Sequence, residues 1–280
     1  MTKQRDIGFL ALLMILTSLA DTGFPYGLVQ GLPAVGYAPP YGIFPQQPAE
    51  RISMAEVLEG RQEHNQHILS QLKAGKDDAF LLQQSMEDAR NGFCTPPLRR
   101  AEFLGHIGDQ AHRLIPRCVI TQSSGKQRAI DNSDTGGQSD LSSDANKLTL
   151  CSPVRPAQHI SLVMHRWSEK EVAEFCQNDA WETGQEDLPS AYRYCPMSQQ
   201  ESLGCIVAWF HHEWQTPAYQ AYSGLLFALP LAVTSFNRFS RLLEALTRRY
   251  CQVLTSLYFD DARITDVRSA KGSGQWANGQ

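Results

Sequence analysis

Several common features are missing from this chain of 280 residues, and each absence excludes a class of protein. The chain has no C-x-x-C pair, and its seven cysteines are scattered and odd in number, which argues against a zinc ribbon or a disulfide framework. It has no N-x-S/T glycosylation acceptor, which disfavours secretion. The scattered cysteines fit a reducing compartment, so we expect an intracellular protein, nuclear or cytoplasmic.

A long hydrophobic run is also missing. The longest apolar stretch, Ile7 to Leu16, is too short for a transmembrane helix, so a membrane partner is not expected. Lys3 and Arg5 precede this stretch, and Ser18-Leu19-Ala20 follows it with the small-x-small pattern of a signal-peptide cleavage site. Residues 1–20 therefore leave two interpretations open. They form a signal or anchor, or, as we favour, a first helix that docks on the protein.

Charge of one sign is not in large excess either. The net charge is −4, which gives no global reason to expect nucleic acid. The local balance differs, because six basic and two acidic residues lie between Leu98 and Arg128. A basic patch of this kind can hold phosphates in a protein that is acidic as a whole, although a solvated face explains it equally well.

The remaining composition is that of an ordinary globular protein, with 42% hydrophobic and 19% charged residues. Residues 22–48 hold six prolines and five glycines, which predicts an extended loop. Capping patterns predict helices from Ser53 to Lys73 and from Asp77 to Arg90. Residues 21–95 therefore form a loop and helical N-terminal region, and residues 96–280 mix helices and strands. This order predicts an α+β fold without regular βαβ alternation.

The sequence Tyr258-Phe259-Asp260-Asp261 follows the apolar run Val253 to Leu257, and Ala262 to Thr265 has the pattern of a return strand. Together they predict an antiparallel hairpin with two carboxylates at its turn. Adjacent carboxylates at the end of a buried strand are costly, because like charges repel and lose water. A divalent cation relieves this cost, and polymerases use two such ions about 3.5–4 Å apart.

Four segments resemble the motifs of retroelement reverse transcriptases, and they occur in the same order. Asp187-Leu188-Pro189-Ser190-Ala191-Tyr192 resembles the first catalytic motif, D-x-x-x-A-Y. The Y-x-D-D box at 258–261 resembles the catalytic hairpin. Residues 227–238 are similar to the family's F-G-L-x-x-A-P-x-x-F-x-R segment, and residues 125–131 to its fingers motif.

The resemblance implies a polymerase palm-and-fingers fold over residues 96–280 that ends before the family's thumb. It implies an RNA-directed DNA polymerase, which transfers a deoxynucleotide from its triphosphate to a primer 3′-hydroxyl on an RNA or DNA template. Asp187 and Asp260 would bind two Mg²⁺ ions, or Mn²⁺, with Asp261 as a supporting carboxylate of the same metal site. The resemblance implies further roles for four residues: a triphosphate clamp (Lys126, Arg128), a gate against the ribose 2′-hydroxyl (Tyr192) and the template–nucleotide floor (Phe227).

Departures from the family pattern support an alternative. Ala228 stands where the family prefers glycine, and a methyl group there obstructs the close approach of nucleic acid. The expected lack of a thumb weakens the grip on a duplex. The alternative is a catalytically inactive, decayed or domesticated nucleic-acid-binding fragment. In that case Tyr192 is a core aromatic, Lys126 a solvated turn residue and Asp187 an exposed loop acid.

Two other motif matches lack the context that their chemistry requires. D-T-G occurs at Asp21 and at Asp134, but neither aspartate follows an apolar strand as in an aspartic protease. His211-His212-Glu213 lacks the H-E-x-x-H spacing that places two zinc ligands on one helix face. The sequence therefore predicts neither a protease nor a zinc site.

Overall fold

The computed structural model describes residues 6–152 and 154–272, so Lys3 and Arg5 lie outside the described residues. This part of the chain has a mixed α+β fold, as the sequence predicted. In chain order its elements are α1 (Ile7–Thr17), α2 (Phe24–Gln30), β1 (Gly36–Ala38), α3 (Met54–Val57), α4 (Arg61–Gln71), α5 (Asp78–Arg90), α6 (Arg100–Ile107), β2 (Leu114–Thr121), β3 (Gln127–Asp131), β4 (Ser142–Asp144), α7 (Arg155–Met164), α8 (Glu169–Asn178), β5 (Trp181–Asp187), α9 (Gln199–Leu203), β6 (Ile206–His211), β7 (Thr216–Gln220), α10 (Pro230–Leu246), β8 (Leu254–Tyr258) and β9 (Asp261–Val267).

The strands form three separate sheets. The four-stranded sheet has the order β3-β2-β6-β7, in which β2 and β6 run parallel and the other pairs are antiparallel. The three-stranded sheet is antiparallel and has the order β5-β9-β8. A short parallel pair joins β1 to β4. The hairpin predicted around residues 258–261 is therefore present as β8 and β9.

One face of the three-stranded sheet packs on α10. Thr255, Leu257 and Ile264 are buried on this face, and the Leu257 N–H donates a hydrogen bond to the Glu244 carboxylate at 2.8 Å. Side chains alternate across a strand, so Asp261 projects from the opposite face. Helix α10 thus supports one face of the sheet, and Asp187 and Asp261 lie on the other face.

Two secondary-structure predictions, one of a helix and one of a loop, need correction. Gly60 has a φ of +63°, a left-handed conformation that glycine adopts without steric cost, and it divides the predicted helix at 53–73 into α3 and α4. The predicted loop at 22–48 contains the short helix α2. Its Pro25 lies in the first turn, where a missing N–H leaves no intrahelical hydrogen bond unmade.

The N-terminal apolar segment is a helix that packs on α2 and α10, with Met14 buried. No helix in the described part of the chain is both long and apolar enough to cross a membrane. Met14, Phe24 and Phe236 belong to one core cluster, so residues from all three predicted segments pack together. The boundaries at residues 20 and 95 stay a prediction.

Candidate functional site

Asp187 and Asp261 lie opposite each other at one end of the three-stranded sheet. Strands β5 and β9 pair in a register that places Asp187 directly across from Asp261, so both side chains project from the same face. The Leu188 N–H donates to the Asp260 carbonyl at 3.1 Å and fixes the segment after β5 against the β8–β9 turn. The structure therefore brings Asp187 to the end of the sheet that carries the adjacent residues Asp260 and Asp261, which are distant from it in sequence.

The turn that carries Asp260 has a strained backbone. Phe259 has a φ of +54°, a left-handed value that is uncommon for an aromatic residue and costs about 1–2 kcal/mol. The Ser240 hydroxyl on α10 donates to the Phe259 carbonyl at 3.1 Å and holds the turn from below. Strain of this kind persists where the surrounding structure enforces it, commonly at functional sites.

The electrostatic environment of Asp260 is unfavourable for its charge. Partial burial raises the pKa of Asp260 above its ordinary value, and the nearby carboxylates of Asp187 and Asp261 raise it further. Arg128 opposes this by lowering the pKa. Asp260 therefore lies within electrostatic reach of Asp187, Asp261 and Arg128.

The two predicted triphosphate-binding residues are on the β2–β3 hairpin. Arg128 is an exposed residue on β3 and acts on Asp260 electrostatically. Lys126 lies in the exposed turn before β3, and its ammonium makes no hydrogen bond or ion pair with the described residues. Arg128 is therefore part of the site as it stands, whereas Lys126 lies at its margin.

Tyr192 is more deeply buried than its predicted role as a gate suggests. It lies in a short 3-10 helix at Ala191–Tyr194 with 4% of its surface exposed, and its ring stacks on Phe236 at a centroid distance of 4.5 Å. Phe227 contacts the same ring edge-on at 5.0 Å and is itself 58% exposed. Phe227 is thus the aromatic residue that faces solvent, and Tyr192 lies beneath it.

The Tyr192 hydroxyl is buried and has no hydrogen-bond partner among the described residues. Burial raises the pKa of this phenol, and the negative charge of Asp260 raises it further. The hydroxyl is therefore a neutral polar group within electrostatic reach of Asp260. A buried group without a partner costs stability, on the order of 1–3 kcal/mol.

The metal binding predicted for the acidic residues stays a prediction. In the described residues no three His, Cys, Asp or Glu side chains converge as a preformed metal-binding group. The Asp261 carboxylate instead accepts a hydrogen bond from the Gln185 amide at 3.3 Å, which fits a supporting role. Proteins commonly hold Mg²⁺ with one or two carboxylates, and substrate phosphates and water complete its octahedron. Asp187 and Asp260 would be that smaller set of oxygen donors.

The structure also contains a buried ionic cluster that sequence reasoning missed. Arg117 donates to Asp131 through two nitrogens at 2.7 and 3.1 Å, and Arg193 reaches Asp131 at 3.3 Å. Arg117 also lies 3.4 Å from Asp88, which accepts a hydrogen bond from the Tyr222 hydroxyl at 2.6 Å. Both guanidinium groups lie over the Tyr222 ring. The available signals were Arg117 shortly before residues 125–131 and Arg193 next to Tyr192, but the sequence does not show that both arginines contact Asp131.

The ionic cluster connects the segments that carry the candidate site. Asp131 ends β3, three residues after Arg128, and Arg193 directly follows Tyr192. The ion pair between Asp131 and Arg193 therefore fixes the β2–β3 hairpin against the segment after Asp187.

Neither D-T-G aspartate has a catalytic environment. Asp21 is buried and accepts two hydrogen bonds from Arg238 on α10, at 2.6 and 2.9 Å. Asp134 accepts a hydrogen bond from the Ser139 hydroxyl at 2.6 Å. Asp21 therefore ties the segment between α1 and α2 to the helix beneath the candidate site.

The sequence was also compared with known proteins. No protein-family model matches the chain, and the search of curated proteins found no match either.

Proposed function

We propose that this chain is the fingers and palm of an RNA-directed DNA polymerase similar to retroelement reverse transcriptases. The reaction is nucleotidyl transfer from a deoxynucleoside triphosphate to a primer 3′-hydroxyl on a nucleic-acid template. One observation carries the proposal: Asp187, Asp260 and Asp261 lie at the same end of one sheet, with Arg128 in electrostatic reach of Asp260. Four motifs in family order support the same function.

Each residue of the site has a distinct task in this reaction. Asp187 and Asp260 would hold two Mg²⁺ ions, which lower the pKa of the attacking hydroxyl and neutralise phosphate charge. Arg128 donates its fork of N–H groups to the triphosphate oxygens, and Lys126 adds a point charge when the hairpin closes. Asp261 keeps the turn acidic while Gln185 fixes its orientation.

The aromatic pair determines how the nucleotide is seated. Phe227 presents an exposed ring at the site and offers the base a flat apolar surface. Tyr192 stacks against Phe236 beneath it and limits the depth available to the sugar. A ribose 2′-hydroxyl needs that extra depth, so this packing favours deoxynucleotides.

Primer extension tests the proposal directly. The protein is incubated with a labelled primer, an RNA or DNA template, deoxynucleotides and Mg²⁺ or Mn²⁺. We expect extension by the wild type and a loss of at least about 10³-fold in Asp260→Asn, because several kcal/mol of charge stabilisation disappear. Asp134→Asn is the matched control, since it neutralises an exposed acid outside the site. Equal extension by wild type and Asp260→Asn contradicts the proposal.

Three observations favour a second function, an inactive nucleic-acid-binding fragment. The described residues lack a preformed group of three metal ligands, and Gln185 already engages Asp261. Ala228 also keeps its methyl group where the family has glycine. Measurable duplex binding without extension by the wild type, with either metal, selects this second function.

A further inference from the structure

A cleft of about 440 Å³ lies between α4, α6 and strand β7. Its lining includes Gln62 and Gln66 of α4, Leu104 of α6 and Tyr219 of β7. Strand β7 is the edge of the four-stranded sheet opposite β3, which carries Arg128, and the acidic hairpin belongs to a different sheet. The cleft is therefore separate from the candidate site, and its size lies within the range of small-molecule sites.

Tyr219 brings a phenol to this cleft. The residue is only 4% exposed, and its ring stacks on Phe103 at a centroid distance of 5.0 Å. Two backbone hydrogen bonds, of 2.9 and 3.0 Å, join Tyr219 to Leu98 and hold its main chain in place. The Tyr219 hydroxyl makes no hydrogen bond with the described residues. It is therefore a donor in a fixed position that is left for a ligand.

Arg100 lies beside this hydroxyl, at the start of α6 and two residues after Leu98. Burial raises the pKa of Tyr219 and Arg100 opposes this by lowering it, so the guanidinium lies close to the phenol. Arg100 is exposed, and its guanidinium makes no hydrogen bond or ion pair within the described part of the chain. Arg117, from the same basic stretch of the sequence, is instead bound to Asp131. Arg100 is therefore available to a ligand.

The electrostatic surroundings of the cleft are positive. Burial lowers the pKa of His112, which lines the cleft, and although a hydrogen bond to Gln110 opposes this, Arg61 and Arg100 lower it further. None of the described residues that line the cleft is acidic. Such surroundings favour an anion, and guanidinium and hydroxyl groups are donors that bind the oxygens of carboxylates and phosphates.

The rest of the lining is largely apolar. Leu69, Phe103 and Leu104 line the cleft together with the ring of Tyr219. A flat apolar group packed against these side chains is removed from water, which favours its binding. A small inorganic anion cannot use this surface. The cleft therefore suits a ligand that joins an oxyanion to an apolar body.

We propose that this cleft binds a small organic anion with a flat apolar body, and that Arg100 and the Tyr219 hydroxyl contact its oxyanion. A carboxylate and a phosphate monoester share this chemistry. Leu69, Phe103 and Leu104 contact the body of the ligand. Binding here does not require the polymerase reaction, because Arg128 and the acidic hairpin lie elsewhere in the fold.

Ligand-observed NMR titrations of the full chain, without nucleic acid, test the site. The probes are naphthyl phosphate, naphthaleneacetate, the neutral naphthaleneacetamide and inorganic phosphate. We expect at least one of the two organic anions to bind about tenfold or more tightly than the neutral amide and than inorganic phosphate, because charge-assisted hydrogen bonds and apolar contacts act together. The tighter of the two anions identifies the preferred head group.

Variants assign the binding to this cleft. Arg100→Gln and Tyr219→Phe should each weaken binding of the preferred anion by about tenfold or more. Tyr219→Phe keeps the ring that stacks on Phe103 and should unfold at the wild-type temperature, since its hydroxyl has no partner among the described residues. Arg90→Gln removes an exposed arginine from the end of α5 and is the matched control, with wild-type binding expected.

Three results would overturn the assignment of this cleft. The first is a wild type that binds neither organic anion. The second is an affinity for naphthaleneacetamide or inorganic phosphate equal to that for the organic anions, because the oxyanion or the apolar body would then contribute nothing. The third is wild-type affinity in Arg100→Gln or in Tyr219→Phe.

Discussion

The fold holds two groups of charged side chains that are partnered in opposite ways. In the ionic cluster, Asp131 is buried and meets Arg117 and Arg193, so its charge is compensated in place. At the end of the three-stranded sheet, Asp187 is exposed and Asp260 faces two further carboxylates. A buried carboxylate that is paired with a cation stabilises a structure only while both partners remain. Carboxylates without a basic partner are instead available to a positively charged ligand from outside the chain.

The comparison also shows how the two groups depend on each other. The ionic cluster connects β3, which carries Arg128, to the segment that carries Tyr192. A site with repelling carboxylates cannot hold itself together, so its geometry must be imposed from outside. In this protein α10 holds the β8–β9 turn, and the ionic cluster holds the β2–β3 hairpin.

The largest expected effect is on stability, in the ionic cluster. Asp131→Ala leaves the buried guanidinium of Arg117 and the partly buried one of Arg193 without this carboxylate, and should lower the free energy of unfolding by about 3–5 kcal/mol. Chemical denaturation measures this change. Asp187→Ala is the matched control, and it should stay within about 0.5 kcal/mol of wild type because its side chain is exposed. Equal losses in both variants would show that the two groups are not partnered differently.

The next effect is on nucleotide binding. Arg128→Gln removes charge-assisted hydrogen bonds worth about 1.5–3 kcal/mol to the triphosphate, so KM for the deoxynucleotide should rise about 10- to 100-fold. Steady-state primer extension measures KM, and thermal unfolding of the variant should match wild type. Arg193→Gln is the matched control, because it removes an arginine from the ionic cluster and should lower stability. A normal KM in Arg128→Gln excludes this arginine from the triphosphate clamp.

Local patterns allowed the acidic hairpin to be predicted, whereas long-range pairing determined what was missed. The apolar run before Tyr258 and the two aspartates at the turn are adjacent in sequence, and β8 and β9 formed where they predicted. Strand β5 was not predicted, because Trp181–Asp187 is polar and lies at the sheet edge. Its conformation depends on pairing with β9, about 80 residues later, and such contacts outweigh intrinsic preference.

The candidate site, like the fold, was predicted in part. Asp187 came from a motif resemblance, and the register across from Asp261 is what the structure adds. In the sequence, Asp131 is only the last residue of the predicted fingers motif at 125–131. No sequence pattern shows that Arg117 and Arg193 contact it. Burial of Tyr192 under Phe227 was equally invisible in the sequence, since it depends on packing between two distant segments.

A smaller effect is on the pH dependence of stability, which should differ in sign between the two groups. The raised pKa of Asp260 means that its charge costs stability at neutral pH, and this cost disappears as the pH falls through the raised value. Burial favours a raised pKa for Asp131 too, but Arg117 and Arg193 outweigh burial and lower it. Its contribution is therefore present above the ordinary pKa of 3.8 and is lost as the pH falls through the lowered value.

Unfolding free energies of wild type, Asp260→Asn and Asp131→Asn over acidic to neutral pH test this difference. The advantage of Asp260→Asn over wild type should shrink as the pH falls towards 3.8, the ordinary value for aspartate. The advantage of wild type over Asp131→Asn should instead shrink below 3.8. If the difference from wild type changed with pH in the same way for both variants, the two carboxylates would titrate alike. That result would contradict the proposed difference between the two charged groups.

The smallest expected effect concerns the Tyr192 hydroxyl, which is buried and has no hydrogen-bond partner among the described residues. Tyr192→Phe removes this buried polar group and keeps the ring that stacks on Phe236, so stability should rise by about 1 kcal/mol. Selection of deoxynucleotides over ribonucleotides should not change, because the size of the ring limits the sugar. Denaturation and competition between the two nucleotide types measure these effects. Lower stability in Tyr192→Phe would show that the hydroxyl has a hydrogen-bond partner. Loss of the preference for deoxynucleotides would show that the hydroxyl, and not the ring, excludes the ribose 2′-hydroxyl.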